Sequence, residues 1–321
     1  MEEFVLLNRR GFLKKTMLLG AASAASSLPL WAQAGKQETR LTILHTNDVH
    51  SRIEPFPMDG SKYAGLGGVA RRSALIQQVR SEEKNVLLLD SGDMFQGTPY
   101  FNLFGGKVEL ELMSKLGYEA GTFGNHEFDN GIAGLVKYLD KANFPFLTAN
   151  YAFKGTLLEG RTQDYTIINK NGLRIGITGV GVDIEGLVDP TNYVGMKYLD
   201  PIPVVNRIAK MLKEEKKCDL VICLSHLGYD YKDEPNKVSD LKLAAGTRHL
   251  DLILGGHTHT FLDKPTVVKN LDGQEVYVNQ VGFAGIRLGR LDIVFNKKTG
   301  KKQVMASQYT VDQRFDKTVN A

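Results

Sequence analysis

The sequence predicts an α/β fold, because apolar runs typical of strands alternate with helical patterns along the chain. Residues 86–89 are continuously apolar, as in a strand that is buried on both faces. Residues 67–80 instead place Val69, Leu75, Ile76 and Val79 at the spacing of a helix. Such alternation favours a functional site at the carboxyl ends of the strands. The last third of the chain is more purely β-like, so a second sheet is expected.

The same patterns place the remaining elements. The segment from Val108 to Leu116 is predicted to be a helix that Gly117 stops, and a short strand should lead into Gly124. We also expect helices at 131–142 and 201–217, and strands at 41–45, 145–149, 173–180, 219–225, 251–255, 275–281 and 288–295. No internal repeat, low-complexity segment or Pro/Ser-rich linker marks a domain boundary.

The composition is that of a globular protein with a substantial core. Of the 321 residues, 42% are hydrophobic and 24% are charged, and the formal net charge is +4. Without the four basic and two acidic residues of segment 1–34, 36 basic and 34 acidic residues remain, which is a charge of +2. This near balance, with no basic run interleaved with aromatics, argues against a nucleic-acid polymer or a membrane surface as the partner.

The first 34 residues have the pattern of an export signal. Arg9 and Arg10 precede an apolar, Ser- and Ala-rich stretch from 17 to 30, and Ala32 and Ala34 offer a small-x-small cleavage site. The arrangement resembles a twin-arginine signal; an ordinary Sec signal that carries two arginines is the alternative. The apolar stretch is too short to span a bilayer stably. We therefore expect a mature domain of residues 35–321 in the periplasm or cell envelope, with no stable membrane span.

The two cysteines, Cys218 and Cys223, are five residues apart around a predicted strand. An extended segment of that length separates them by about 16 Å, which is too far for a disulfide. We expect two buried core thiols. The cysteines therefore give no evidence for or against an oxidising compartment.

Metal-ligating residue types follow five separate predicted strands. Any one of them alone is more often a hydrogen-bonded polar residue, but these segments hold five of the seven histidines of the chain. Of the other two, His45 is expected to be buried in or beside its strand, and the sequence assigns no role to His249. The residues in the five segments are Asp48 and His50, Asp93, Asn125 and His126, His226, and His257 and His259.

The mixture of ligand types narrows the kind of metal. Histidine, carboxylate and amide ligands together suit Zn, Mn or Fe rather than Ca or a thiolate-bound metal. Residues two apart in an extended segment face the same side, so Asp48 and His50 can bind together. Asp93 follows a glycine, which lets the backbone turn sharply. The number of ligands suits two divalent ions that share one carboxylate.

In their order along the chain, these blocks resemble those of the calcineurin-like metallophosphoesterases. The segments ILHTNDVH at 43–50, DSGDMFQGT at 90–98 and FGNHEFD at 123–129 are similar to the 5′-nucleotidase/UDP-sugar hydrolase branch of that family. The resemblance covers roughly residues 40–300. It implies a four-layer α/β fold, with two β-sheets sandwiched between helices and the metal site at the carboxyl ends of the strands.

The resemblance also implies how the ligands are shared. One ion would be held by Asp48, His50 and His259, the other by Asn125, His226 and His257, with Asp93 bridging both. Several relatives have Gln at the position of His259, so the ligand type at that corner varies in the family.

Two further residues match catalytic positions of the family. His126 would contact the substrate phosphate without binding metal, and Asp129 would orient its ring. Protonated His126 could stabilise developing charge or donate a proton to the leaving group. The alternative role of Asp129 is a helix N-cap near Gly131.

The sequence departs from the branch after the catalytic blocks. Relatives usually continue into a second domain that stacks on the base and supplies arginines, whereas this sequence ends at Ala321. Nucleotide selectivity is therefore expected to be weak, or to need a separately encoded substrate-binding domain. Arg71, Arg72 and Arg287 lie near family blocks, but solvated positions are expected for them.

Four aromatic residues near the first two blocks could form a partial substrate platform, although core or loop packing is the commoner role at this spacing. They are Tyr63, Phe95, Tyr100 and Phe101.

Three functions remain open on the sequence. The leading hypothesis is an enzyme that hydrolyses phosphate monoesters, 5′-nucleotidase-like, with a nucleotide or another small phosphorylated molecule as substrate. A cyclic-nucleotide phosphodiesterase or nucleotide-sugar pyrophosphatase is the second. A non-catalytic metal-binding module is the third, and the presence of both His126 and Asp129 argues against it because metal binding does not need them.

Overall fold

The computed structural model describes residues 38–296, 298–300 and 302–318. The strands in this part of the chain are β1 (Glu38–Thr46), β2 (Val86–Asp90), β3 (Ala120–Gly121), β4 (Tyr151–Ala152), β5 (Tyr165–Lys170), β6 (Leu173–Gly181), β7 (Lys197–Tyr198), β8 (Leu220–His226), β9 (Leu252–Leu254), β10 (Thr266–Lys269), β11 (Glu275–Asn279), β12 (Arg287–Asn296) and β13 (Lys302–Thr310). The α-helices are α1 (Val69–Glu82), α2 (Pro99–Phe104), α3 (Lys107–Leu116), α4 (Gly131–Leu139), α5 (Pro201–Lys210) and α6 (Asp240–Gly246).

Two large sheets organise the molecule. The first has the strand order β13-β12-β1-β2-β3, and the second has the order β10-β11-β9-β8-β6-β5. Strands β1, β2 and β3 are parallel, as are β6, β8, β9 and β11. Since parallel strands end at the same edge of a sheet, the loops that follow them gather at one end of each sheet.

Along the central strands, side chains alternate between the core that separates the two sheets and the cores between each sheet and its helices. Leu87 of β2 and Ile222 of β8 lie in the core between the two sheets. Their neighbours point outward: Leu88 packs in the cluster that includes α1, α3 and α4, and Cys223 packs in the cluster that includes α5 and α6. Both strands are apolar at every one of these positions because both faces are covered. The expected four-layer fold, with two sheets between helices, is confirmed.

Most expected elements are present, with two corrections. The strand expected at 145–149 is wrong, since this segment forms only isolated bridges, Gly121 with Phe146 and Leu147 with Gln163. Pro145 cannot donate to a strand ladder, and the apolar side chains that follow it fill the core instead. The helix expected at 201–217 ends as an α-helix at Lys210 and continues as a π-helical turn, Met211–Glu215.

Both cysteines are free and buried, as expected. Within the described residues, no helix is long and apolar enough to cross a membrane. The predicted export signal at 1–34 lies outside the described residues.

His45 is fully buried between the sheets, as the sequence predicted. Its Nε2 lies 2.8 Å from the Nδ2 of Asn279, so a residue of β1 is joined to a residue of β11 in the other sheet. Burial lowers the pKa of His45 to about 3, which keeps the ring neutral and its Nε2 able to accept. Gly289 of β12 leaves room for this ring, because a Cβ there would lie 2.2 Å from the His45 Nε2.

We expect Gly289→Ala to lower the free energy of unfolding by about 2 kcal/mol, because the added methyl overpacks a ring that cannot move. Added to His45→Ala, the same change should cost less than about 0.5 kcal/mol, since the obstructing ring is gone. Denaturant unfolding of the four proteins measures both values. An equal cost in the two backgrounds would contradict this account.

Candidate metal centre

The predicted site residues converge where strands of both sheets end. Asp48 follows β1, Asp93 follows β2 and Asn125 follows β3 in the first sheet. His226 is the last residue of β8, and His257 follows β9, in the second sheet. The fold thus brings together residues that are 209 positions apart in sequence, such as Asp48 and His257.

The first group of potential ligands consists of Asp48, His50 and His259. Their nearest ligand atoms all lie within 4.8 Å of one another. The Nε2 of His259 is 2.9 Å from the Nε2 of His50 and 3.3 Å from the Oδ1 of Asp48. This is the set that the family resemblance assigns to one ion.

The second group consists of Asp93, His226 and His257, again with ligand atoms within 4.8 Å of one another. The Nε2 of His226 lies 3.0 Å from the Oδ2 of Asp93. The Oδ1 of Asn125 lies 2.9 Å from the Nδ1 of His257, so the amide joins this group. A third group that meets the same distance limit consists of His50, Asp93 and His126, so the Asp93 carboxylate lies between the first two groups and also close to His126.

The tautomers of two histidines fit a bound cation. The Nδ1 atoms of His226 and His50 face the backbone carbonyls of Ser91 at 2.7 Å and Phe95 at 3.2 Å. Each Nδ1 must therefore carry the proton, and each Nε2 turns a lone pair toward the site. The Nε2 of His226 is buried 3.0 Å from the Asp93 carboxylate without an aligned hydrogen bond. Two electron-rich atoms held this closely suit a shared metal ion.

The carboxylates around His226 also favour a positive charge at this position. Burial alone would lower the pKa of His226, but the charges of Asp93 and Asp48 raise it to about 10. A proton or a metal ion can supply this positive charge, and neutral imidazole is the form that binds metal.

Much of the site is built on left-handed backbone. A positive φ, between 50° and 74°, is found at Asp48, His50, Asp93, His257 and His259. For residues with a Cβ, this conformation costs about 1–2 kcal/mol each. Hydrogen bonds from the amides of Asp48 to Gly92 O and of His50 to Asp93 O, at 2.9 and 3.0 Å, help to hold it.

Glu127 ties two of the ligand loops together, a role that the sequence did not reveal. Its buried carboxylate accepts from the amides of Asp93, Met94 and Gly124 at 2.6 to 2.9 Å, and from that of Phe95 at 3.2 Å. Burial and the charge of Asp93 raise the pKa of Glu127 to about 8, while the four donors favour its ionised form. The sequence feature that could have indicated this role is the position of Glu127 in the block at 123–129, directly after His126.

The expected His126–Asp129 pair is present beside the ligand groups. The Nδ1 of His126 lies 2.8 Å from the Oδ2 of Asp129, across the short 3₁₀ helix His126–Phe128. Burial lowers the pKa of His126, but the hydrogen bond to Asp129 and the charge of Asp93 outweigh it and raise the pKa to about 8. The alternative N-cap role of Asp129 is wrong, because Asn130 occupies the N-cap of α4.

A cavity of about 280 Å³ opens beside these residues. It is lined by His50, Arg52, Phe56, Gln96, Gly97, His126, His259, Phe283 and Ala284. A larger cavity of about 400 Å³ lies at the opposite end of the sandwich, near Asp251, and contains none of the predicted site residues. The smaller cavity is therefore the substrate-sized space next to the candidate metal ligands.

The three arginines considered from the sequence do not line this cavity. Arg71 pairs with Asp316, and Arg287 lies 3.3 Å from Asp263. Arg72 is buried, so the expectation that it is solvated is wrong.

Arg52, which the sequence reasoning missed, lines the cavity instead. Its guanidinium lies 4.0 Å from the centroid of the Phe56 ring. Its position two residues after His50 was the available signal.

The four aromatics considered as a platform separate into different environments. Phe95 and Phe101 stack on each other in the core, and Tyr100 contacts Phe104. Only Tyr63 joins an aromatic group near the cavity, with Phe56, Phe261 and Phe283. We call these four residues the aromatic cluster.

His249 lies outside the site. Its Nε2 is 3.7 Å from a carboxylate oxygen of Glu214, which is a surface contact of little energetic weight.

Comparison with known proteins identifies the family. The model of the calcineurin-like phosphoesterase family matches residues 41–261. The chain is 37% identical over 293 residues to a 5′-nucleotidase of Homo sapiens, covering 84% of this chain and 48% of that protein. It is also 37% identical over 303 residues to a snake venom 5′-nucleotidase of Gloydius brevicauda, covering 88% and 49%. The chain thus spans about half the length of the curated relatives it matches.

Solved structures agree with the sequence relatives. The structure of a 5′-nucleotidase precursor from Thermus thermophilus has a TM-score of 0.76 at 34% identity, covering 86% of this chain and 55% of that one. The NAD nucleotidase of Haemophilus influenzae has a TM-score of 0.75 at 27% identity, covering 86% and 51%. The chain therefore belongs to the calcineurin-like phosphoesterase family, whose members are metal-dependent phosphoric ester hydrolases.

Proposed function

We propose that this chain is the catalytic part of an exported, dinuclear-metal phosphoesterase that hydrolyses phosphate monoesters in the manner of a 5′-nucleotidase. The observation that carries the proposal is the pair of ligand groups joined by Asp93, with His126 and Asp129 beside them. The 5′-nucleotidase names of its relatives support a nucleotide as the substrate.

The geometry supports a specific division of ligands. Asp48, His50 and His259 would hold one divalent ion, and Asn125, His226 and His257 would hold the other, with Asp93 shared. Histidine, carboxylate and amide ligands fit Zn, Mn or Fe. When bound, such ions supply Lewis acidity that activates water and neutralises phosphoryl oxygens.

The residues around the ligands supply positioning and a proton. Asp129 holds the Nδ1 of His126, so the Nε2 is free to turn toward the 280 Å³ cavity where the ester would lie. With a pKa raised to about 8, His126 carries a proton at neutral pH. It can therefore stabilise a phosphoryl oxygen or donate to the oxygen of the leaving group. As water adds to phosphorus and the ester P–O bond breaks, this proton goes to the departing oxygen, so that an alcohol leaves and not an alkoxide.

A second candidate is a pyrophosphatase that cleaves a phosphoanhydride in a nucleotide derivative. The similarity to an NAD nucleotidase favours it, because that protein is named for a dinucleotide. The same metal ligands and the same histidine would serve either reaction. A substrate panel distinguishes the two.

Export is proposed on the sequence of residues 1–34, with the twin-arginine route and a periplasmic or envelope location. That route carries folded proteins, which suits an enzyme that receives its metal before export. The mature catalytic domain would start at residue 35. Because the chain spans about half the length of the curated relatives it matches, a substrate-binding domain is the proposed partner.

The test of the proposed function is hydrolysis by the purified mature chain. Chelation should abolish phosphate release, and added Zn, Mn or Fe should restore it.

A nucleoside monophosphate and a simple aryl phosphate should have kcat/KM values within about tenfold, because the site described here recognises mainly the phosphoryl group. Activity that resists chelation would contradict the proposal. A strong preference for one nucleotide would contradict the expected weak selectivity.

A second prediction separates the shared ligand from a terminal one. Asp93→Asn should weaken both ions and reduce kcat more than His259→Gln does, because Gln keeps an oxygen donor at a corner that serves one ion. Metal content after dialysis and kcat of each variant measure this. Similar losses in the two variants would rule out Asp93 as the bridge.

A third prediction concerns His126. His126→Ala should keep the metal content of the wild type and lose about 10²–10³ in kcat, since the ring is assigned to the substrate and not to an ion. Elemental analysis and steady-state kinetics on the same sample provide the measurement. Depletion of metal in this variant would show that His126 is a ligand.

A further inference from the structure

His259 differs from the other candidate ligands of the first ion in how its ring is held. Its side chain is 40% exposed, compared with 13% for His50 and 0% for Asp48. Its Nε2 faces the ligand group. Within the described part of the chain, its Nδ1 has no hydrogen-bond partner in the protein, unlike the Nδ1 atoms of His50 and His226. A metal-bound histidine is ordinarily oriented through that second nitrogen, by a protein group or by water, and here no protein group among the described residues does so.

Phe283 contacts the His259 ring by direct stacking. The Phe283 and His259 rings lie 5.0 Å apart with an interplanar angle of 15°. Nearly parallel aromatic rings at this distance attract each other and limit rotation of the imidazole. The contact covers the face of the ring and leaves its Nε2 directed at Asp48.

Phe283 is itself held in two ways. Tyr63 and Phe261 of the aromatic cluster contact its ring edge-on, with centroids 5.3 and 5.9 Å away. Its backbone segment is joined to the Asp48 loop, because the amide of Ala284 donates to the carbonyl of Asp48 at 2.6 Å. The ring that orients His259 is thus fixed to the same loop that carries Asp48.

We propose that Phe283 is a positioning residue for the first metal ion, and that its stacking on His259 replaces the usual hydrogen bond to the second imidazole nitrogen. The inference rests on the proposed dinuclear site and extends it to a residue outside the ligand set. The contact involves only the corner built by His259. Loss of the Phe283 ring should therefore weaken one ion and leave the ion held by His226 and His257 unchanged.

The test is titration of metal-depleted mature protein with Co²⁺, followed by its visible absorption and by calorimetry. Wild type should bind two ions. Phe283→Leu should weaken one of them about tenfold, the lower end of what loss of an orienting contact costs. Phe283→Tyr, which keeps the ring, should remain within about twofold of wild type. Phe104→Leu removes a ring that contacts Tyr100 and belongs neither to the aromatic cluster nor to the cavity lining, and it should leave both ions unchanged.

A double variant identifies the affected ion. In the His259→Gln background no imidazole remains to stack, so Phe283→Leu should no longer change either affinity. Wild-type affinities in Phe283→Leu would overturn the inference and leave the proposed function intact. Equal weakening of both ions, or an undiminished effect in the His259→Gln background, would also overturn it. If the wild type binds fewer than two ions, the dinuclear proposal itself fails.

Discussion

The carboxylate of Asp93 is the group on which the arrangement of the site depends. It lies at the end of β2 in one sheet and faces His226, at the end of β8 in the other. Burial would raise the pKa of Asp93, but the neighbouring His226 outweighs this effect and holds the pKa well below its usual range. An ionised carboxylate between two imidazole groups attracts cations from both sides. Each ligand group combines residues that follow strands of both sheets, so the packing of the two sheets determines how closely the ligands within a group approach each other.

The position of this carboxylate depends on strained backbone, which hydrogen bonds to the side chain of Glu127 stabilise. Asp93 has a φ of 54°, and four backbone amides on the adjoining loops are gathered by the Glu127 carboxylate. These buried hydrogen bonds hold the loops in place and offset part of the conformational cost at the ligand positions. Strain of this kind collects where a fold must aim functional groups. The hydrogen bonds of Glu127 explain how these loops can hold the ligands as firmly as helices or strands do.

The sequence predicts the central strands well and the edges of the sheets poorly. Strands β2 and β8 are continuous apolar runs because they are covered on both faces. Strands β5, β10 and β13 were not expected, and each lies at the edge of a sheet, where half-exposed positions carry polar residues and the pattern fades.

The sequence predicted which residues form the site. It did not predict the contacts that hold those residues in place. The residues predicted as ligands converge, because strand ends lead to one region in this kind of fold. The left-handed backbone at Asp48, the hydrogen bonds of Glu127 and the stacking of Phe283 depend on neighbours that are distant in sequence, and no local pattern reports them.

The most direct test of the central claim is a crystal structure of the metal-loaded mature chain, with anomalous scattering recorded at the absorption edge of the added metal. This account predicts two anomalous peaks per chain, with Asp93 in contact with both and His126 in contact with neither. A single peak, or a peak coordinated by His126 in place of His259, would contradict it.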